Sequence, residues 1–461
     1  MSHQKEKALH IGTRLQQMIG IVLLLLATSV RFSFAQSPTP FSKYDGKTLD
    51  IPTAIEIALK NNPNFIVTQA RVAQAEEQLK EMRSLIYPTL SLTARYERIG
   101  ETAGTGASQF RSSDTDVASG QIEARYVISL KGSRKAAIAE AREEANAVAL
   151  DEKQVQNLLV HQVRAAYYSI LLAREAIEIA KQSLAFSSLQ MDQAKARLEA
   201  GLGLKTDLLT FSVRVSENQT NLQETRNASR LAMTALSELL AMDLPDDVTL
   251  VSPELSINPL EKFPKDQLIQ DAFRNRPDLT ALEKRVDSAR EAVTVKKAAL
   301  FPRIELFANY GFTKESDLSI TDEDDEAAMG VTLSMDLFDG GANRSKVQKS
   351  RERVTELEGE LNKARLAISR QIEDILNNIV DAESRLATNR ETIRLAEENL
   401  ELRTVRYEAG VGTILEVTEG EVQLSQARLT ELQAKIDLLI ARSKLNEVIG
   451  VMDFQKADAE K

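Results

Sequence analysis

Proline is confined to two zones of this 461-residue chain: all 11 lie before residue 89 or between 245 and 302, leaving 89–244 and 303–461 without one. A proline inside a helix removes a backbone donor and clashes with the preceding turn, so its absence over such stretches permits unbroken helices. Glycine is equally sparse there: none occurs from 133 to 200, and Gly359 stands alone between 342 and 409. Two very long helices are expected, the first from about Ser133 to Ala200 and on the order of 100 Å long at ~1.5 Å per residue. Few globular domains need helices of that length. Aromatic residues make up only 5% of the chain and Trp is absent, so anchors for one large core are also scarce.

The two halves repeat each other. Ala58-Leu59-Lys60-Asn61-Asn62-Pro63 matches Ala272-Phe273-Arg274-Asn275-Arg276-Pro277, and Leu85-Ile86-Tyr87-Pro88 matches Ala299-Leu300-Phe301-Pro302, both at an offset of 214. Downstream, Gly201-Leu202-Gly203 matches Gly410-Val411-Gly412 at an offset of 209, which puts a short insertion in the first half between Tyr96 and Gly132. Duplication at this spacing predicts two copies of one plan. Each copy reads as helix, two strands, a very long helix, a tight glycine turn and a returning helix. In the long helices Val163, Ile170, Ile177, Leu184, Met191 and Leu198 are spaced by seven, as are Ile372, Ile379, Leu386, Ile393, Leu400 and Tyr407. A sustained seven-residue apolar repeat implies left-handed coiled-coil packing.

Four segments switch to a period of two. Leu90, Leu92, Ala94 and Tyr96 alternate with Thr89, Ser91, Thr93 and Arg95; Ile122, Ala124, Tyr126 and Ile128 alternate with Gln121, Glu123, Arg125 and Ser129. The third sets Ile304, Leu306, Ala308, Tyr310 and Phe312 against Arg303, Glu305, Asn309 and Thr313, and the fourth Val331, Leu333, Met335 and Leu337 against Thr332, Ser334 and Asp336. Apolar residues on one face and ionised ones on the other suit a transmembrane β-barrel, with lipid outside and a wet lumen within. The joining segments Glu97–Ser119 and Lys314–Ala328 are polar, as loops on the outer side would be. Four strands cannot close a barrel, and open edges are not tolerated in hydrocarbon. The chain must then associate: two copies give eight strands and a filled interior, three give twelve and room for a channel. The charges Arg95, Glu123, Arg125 and Glu305 favour the wetter solution, a homotrimer in contact with membrane lipid.

Residues 1–35 read as a secretory signal, with Lys5, Lys7 and Arg14 before an apolar run from Met18 to Val30 and small residues at Ser33 and Ala35. That run is too short to cross roughly 30 Å of hydrocarbon, and no later stretch reaches 18 consecutive apolar residues. Removing the segment takes away four basic residues and Glu6, so the formal charge moves from −10 to −13. An acidic chain is a poor match for nucleic acid. The chain has no Cys, so disulfides, thiolate chemistry and an N-terminal lipid anchor are excluded. His161 is the only His beyond the signal and no GxxxxGK[ST] loop occurs, so neither enzyme activity nor a cofactor is expected. The acidic run Asp322–Glu326 reads as a solvated loop rather than a cation site.

These features together resemble the TolC-like outer membrane efflux proteins over about residues 48–450. The carriers are Leu49-Asp50-Ile51-Pro52-Thr53-Ala54-Ile55-Glu56-Ile57-Ala58-Leu59 with Asn62-Pro63, the strand starts at Tyr87-Pro88-Thr89-Leu90 and Phe301-Pro302-Arg303-Ile304, Phe338-Asp339-Gly340-Gly341, and the two glycine turns. The resemblance implies a mainly α fold with a small β part: a long coiled-coil α-barrel in the periplasm, continuing a trimeric 12-stranded barrel in the outer membrane. The chain divides accordingly into a signal peptide (1–35), a first repeat (36–245), an equatorial linker (246–265), a second repeat (266–450) and a C-terminal tail (451–461).

The resemblance further implies an exit duct of a tripartite efflux or type I secretion system, served by a periplasmic adaptor protein and an inner-membrane pump. Gly201, Leu202, Gly203, Gly410, Val411 and Gly412 would form the tips where the adaptor docks. Glu416 and Glu419, one helical turn apart, match an acidic constriction that favours cations. Tyr407 and Asp207 match two members of a gate, but Gly412 occupies the position of its arginine, and Lys205 is the nearest substitute. Tyr407 reads equally as a heptad core residue. A different reading of the same pattern is an exported coiled-coil scaffold or adhesin without a pore.

Overall fold

The computed structural model describes residues 42–99, 115–129, 131–245, 247–251, 264–315 and 325–451. The expected signal segment, Asp322–Asp324 of the acidic run, most of the linker and the tail beyond 451 lie outside the described residues. Within the unit Lys43–Lys461, the first repeat contains helices α1 (Ile51–Asn61) and α2 (Pro63–Ser84), strands β1 (Thr89–Ile99) and β2 (Thr115–Ser129), and helices α3 (Ser133–Glu199) and α4 (Lys205–Leu240). The second contains α5 (Lys265–Asn275), α6 (Pro277–Ala298), β3 (Arg303–Glu315), β4 (Asp325–Ser334), α7 (Ala342–Glu408) and α8 (Ile414–Val448). The duplication holds to the residue where it matters most: α2 and α6 both have 22 residues, and α3 and α7 both have 67. Among the described residues no helix is long and apolar enough to cross a membrane.

Local chemistry marks the helix boundaries. Asp50 caps α1 by accepting from Thr53 N at 3.0 Å, and Asn62 ends α1 and caps α2 by accepting from Asn64 N and Phe65 N at 3.0 and 3.3 Å. Pro63 and Pro277 open α2 and α6, where a missing N–H costs nothing. The long helices start after Gly132 (φ 68°) and Gly341 (φ 88°), both left-handed. Asp339 accepts from the N–H groups of Gly341 and Asn343 at 2.9 and 2.7 Å, which satisfies donors at the start of α7.

The strands form one antiparallel sheet in the order β1-β2-β3-β4. Its register aligns Leu90, Ala124, Ala308 and Met329 in one row and Leu92, Ile122, Tyr310 and Ala327 in the next, followed by Tyr126, Leu306 and Val331, then Ile128, Ile304 and Leu333. One face is therefore apolar across all four strands, and much of it is exposed: Leu90 at 74%, Met329 at 87%, Val331 at 67%. The other face carries Arg95, Glu123, Arg125 and Glu305. Arg125 pairs with Glu123 at 2.8 Å and Glu305 at 3.1 Å, and Arg95 with Glu97 at 2.9 Å. Phe307, lying over Gly330, and Val127, opposite Glu305, are apolar residues on that face.

Strand limits differ from expectation in two ways. β1, β2, β3 and β4 run further into the segments read as loops, because ladder hydrogen bonds join backbones whatever the side chains are. In the fourth strand Met335 and Leu337 fall outside. Pairing with β3 stops at Ser334–Arg303, since Pro302 has no N–H to extend the ladder.

The helices continue the sheet. α2 leads into β1, β2 into α3, α6 into β3 and β4 into α7; in the same order, α2 packs on α3, α3 on α6 and α6 on α7. Farther from the sheet α4 packs on α3, α3 on α8 and α8 on α7. Each repeat has its own apolar core. The first gathers Ile55, Val163, Tyr167, Ile170, Leu236 and Leu240, and the second Leu279, Ile372, Ile379, Ala382, Leu386 and Leu438. The Tyr167 hydroxyl lies 2.8 Å from Leu49 O and 2.7 Å from Val251 O, tying α3 to a short parallel bridge between Thr48–Leu49 and Thr249–Leu250. The heptad stripe of α7 is buried at Ile372, Ile379, Leu386, Leu400 and Tyr407, with Ile393 half-buried. In α3 only Val163 and Ile170 of the stripe are buried; Ile177, Leu184, Met191 and Leu198 are half-buried. There α4 and α8 both pack against α3, and the buried positions shift to Ser183, Ser187, Gln190 and Ala194.

Candidate functional site

The ends of α3 and α7 remote from the sheet make the same turn. Gly201 N donates to Leu198 O at 3.0 Å and Leu202 N to Arg197 O at 2.9 Å; Gly410 N donates to Tyr407 O and Val411 N to Arg406 O, both at 3.0 Å. This pair of bonds is a Schellman motif, and it requires a left-handed residue that glycine supplies. Gly201 and Gly410 have φ of 72° and 75°. Gly203 and Gly412 are set by space instead: a Cβ on Gly412 would lie 2.9 Å from Tyr407 N, and one on Gly203 2.9 Å from Leu198 N. Leu202 and Val411 are 84% and 69% exposed at the apex, so neither makes the apolar contact that usually accompanies the motif.

Behind the turns, Tyr407 meets Asp207 although 200 residues separate them; its hydroxyl donates to Asp207 Oδ2 at 3.3 Å. The ring is only 7% exposed, packed among Ala194, Phe211, Leu400 and Val417, with the Phe211 ring edge-on at 6.1 Å. Tyr407 is thus both a heptad core residue and a hydrogen-bond donor. Burial, and after it Asp207, raises its hydroxyl above the ordinary tyrosine value, so it remains a donor at neutral pH. Gly412 has no room for a side chain, so the arginine of the family's gate has no counterpart at this position. The cation comes from the other hairpin: Arg197 lies 5.2 Å over the Tyr407 ring and donates to Tyr407 O and Glu408 O at 3.3 and 2.7 Å. Lys205 is exposed and, among the described residues, forms no ion pair with Asp207. Arg197 was legible in principle, because it stands four residues before its glycine turn, as Arg406 does in the other repeat.

Glu416 and Glu419 lie on the first turns of α8, and both carboxylates have partners. Glu416 forms a capping box with Thr413: its N donates to Thr413 Oγ1 at 3.4 Å, and its Oε2 accepts from Thr413 N at 3.5 Å. Glu419 pairs with Arg403 of α7 at 3.2 Å, and the same Arg403 nitrogen donates to Glu416 O at 2.8 Å. The Glu419 side chain remains 52% exposed.

Two turns along α8 stands Glu421, which no sequence pattern marks; it is 5% exposed and paired with Arg214 of α4 at 2.7 Å. Burial alone would lower the Arg214 guanidinium; Glu421 and Glu217 together more than offset this and raise it. Among the described residues, no group of three His, Asp or Glu side chains is placed to hold a metal ion.

Comparison with known proteins gives the arrangement its context. CyaE of Bordetella pertussis is 24% identical over 392 residues, covering 85% of this chain and 81% of its own length. The pyoverdine export outer membrane protein OpmQ of Pseudomonas aeruginosa is 25% identical, with 87% and 85% covered. The outer membrane protein TolC of Vibrio cholerae is 21% identical, with 86% and 90% covered. Among solved structures, CusC superposes with a TM-score of 0.77 at 20% identity over 91% of this chain and 96% of its own. The Campylobacter jejuni CmeC outer membrane channel does so with a TM-score of 0.77 at 16% identity, over 92% of both chains. The family model described as outer membrane efflux protein matches residues 54–242 and 268–451, one segment per repeat, and the chain belongs to that family.

Proposed function

We propose that this chain forms a homotrimeric exit duct, passing substrates from a periplasmic adaptor and an inner-membrane pump through the outer membrane. The observation that carries this reading is the open sheet: four strands with a continuous exposed apolar face, a charged opposite face, and unpaired edges at β1 and β4. The helical layer ends at the same two edges, α2 beside β1 and α7 beside β4. One operation therefore closes strands and helices together, β4 and α7 of one copy meeting β1 and α2 of the next. Twelve strands from three copies leave the charged face around a lumen. Relatives named for pyoverdine export and for alkaline protease secretion bracket the cargo classes, small molecule and protein.

At the far end, the exposed Leu202 and Val411 on paired glycine turns, with Gly201, Gly203, Gly410 and Gly412 shaping them, form the docking tips for the adaptor. Glu416 and Glu419 line the periplasmic mouth, and Tyr407 with Asp207 belongs to its gate. The partners found for the two glutamates temper the constriction: Arg403 offsets Glu419, so the threefold ring carries fewer uncompensated charges than six carboxylates imply. Purified trimers in planar bilayers should conduct ions with a cation preference, and Glu416→Ala combined with Glu419→Ala should reduce that preference by about twofold or more. Monomers extractable without detergent that never conduct would favour the pore-free scaffold.

A further inference from the structure

The helices join the sheet through four connections at one end of the strands, and these connections do not present the same chemistry. Three carry neighbouring apolar residues, all exposed: Ile86 and Tyr87 before β1, Leu300 and Phe301 before β3, and Leu337 and Phe338 after β4. The fourth, between β2 and α3, presents cations. Lys131 Nζ lies 4.5 Å from the centroid of the Phe301 ring, and the Arg134 guanidinium carbon 4.3 Å from that of Tyr126. Helical side chains lean toward the N-terminus, so Arg134, in the first turn of α3, reaches back over the sheet. Tyr126 shares its row with Leu306 and Val331, which puts Arg134 against the apolar face.

On the opposite face the cations are compensated, Arg125 by Glu123 and Glu305 and Arg95 by Glu97. Lys131 and Arg134 have aromatic rings instead, with no carboxylate partner among the described residues. An aromatic face attracts a cation without cancelling its charge. The fold does not demand these two residues. The second repeat builds the same junction, a left-handed glycine followed by a helix of 67 residues, with Gly340 and Asn343 in the places of Lys131 and Arg134. Two uncompensated positive charges, held on rings where an apolar face gives way to water, complement an anion of that boundary.

We propose that Lys131 and Arg134, with Phe301 and Tyr126, bind the headgroup of an anionic phospholipid in the periplasmic leaflet, one site per protomer. This rests on reading the sheet as one third of a lipid-facing barrel. The lipid phosphate meets the two cations while its acyl chains run along the apolar rows that hold Leu306 and Val331. Inorganic phosphate would gain the charge attraction alone, so the apolar floor selects a lipid over a free anion. Each cation near a membrane surface favours an anionic over a zwitterionic lipid by about fivefold, and the pair by on the order of tenfold.

The test is native mass spectrometry of full-length trimers released from micelles that hold equal amounts of phosphatidylglycerol and phosphatidylcholine. Wild-type trimers keep phosphatidylglycerol in preference by about tenfold, and Lys131→Gln combined with Arg134→Gln removes most of that preference with the trimer intact. Arg125→Gln, on the lumenal face, leaves it at the wild-type value. Equal retention of the two lipids by wild type, or an unchanged preference in the double variant, would overturn the site. An equal loss in Arg125→Gln would do the same, because the preference would then follow total charge. Displacement of phosphatidylglycerol by millimolar inorganic phosphate would overturn the lipid in favour of a free anion. Should the double variant fail to assemble, Lys131→Gln carries the test, since Lys131 is exposed in a connection; it is expected to lower the preference about fivefold. An assembled Lys131→Gln trimer with the wild-type preference sinks the idea. Wild-type chains that never trimerise would instead refute the barrel, a result distinct from any of these.

Discussion

Single side chains decide how the helical body responds to pH. His161 of α3 sits beside Ser443 of α8, facing Lys444, Arg164 and Glu447; burial, with Lys444 and Arg164 and against the opposing pull of Glu447, lowers its pKa to about 4. The unfolded imidazole takes up its proton near the ordinary value of about 6.5. Between those two values the unfolded chain binds a proton that the folded chain refuses. Stability from this residue is therefore complete above the unfolded pKa and is lost as the pH falls through the window toward 4. With a discount for partial exposure the loss is about 1–2 kcal/mol per protomer. His161→Gln should narrow the gap between thermal midpoints measured at pH 7.5 and pH 4.5, and an unchanged gap would refute this account. Residues of this kind could not be assigned from sequence. In the sequence His161 stands out only as the sole histidine beyond the signal, because its depressed pKa comes from burial and from Lys444, some 280 positions away.

Whole elements were far more legible than the contacts between them. Proline and glycine placement, the 214 and 209 offsets and the period-two segments each act within a few residues, and they lead to ten elements in the right order; the structure divides the first helix of each repeat at Pro63 and Pro277, which makes twelve. Strand ends escape the alternation because the ladder continues through polar residues and stops where Pro302 lacks a donor. The α3 stripe is less buried than its period suggests because two helices crowd one face of α3, where small polar residues are buried instead. At the tips, sequence identifies both turns, and the structure adds why each of the four glycines is there. Gly410 is held by its left-handed φ, Gly412 by the 2.9 Å approach of its missing Cβ to Tyr407 N. Gly412→Ala should then disturb the turn that carries Tyr407, at a cost of about 1–3 kcal/mol. Limited trypsin digestion would read the effect as faster cleavage at the neighbouring Arg403 and Arg406. Digestion at the wild-type rate would mean that the turn accommodates a side chain.

At the scale of the molecule, one question separates a duct from a scaffold: whether the apolar face of the sheet meets lipid. The register puts Val331 in a row with Leu306 and Tyr126, while its neighbour Thr332 pairs with Glu305 on the charged face. Both positions are on β4, an edge strand, so they share backbone surroundings and differ only in the face they occupy. A lysine on the lipid face of a barrel costs about 2–4 kcal/mol near mid-membrane, and a symmetric trimer incurs that cost three times. A lysine on the lumenal face stays in water and adds a charge near Glu305. Val331→Lys should therefore deplete heat-resistant trimers from the outer membrane fraction, whereas Thr332→Lys should leave their yield near wild type and lower the cation preference of the pore. A small soluble sheet predicts a different pattern. Val331 is already 67% exposed in the single chain, so replacing it with lysine would raise solubility and leave assembly alone. Equal yields of trimer from the two variants would mean that the apolar face does not meet lipid, and the twelve-stranded barrel would have to be abandoned.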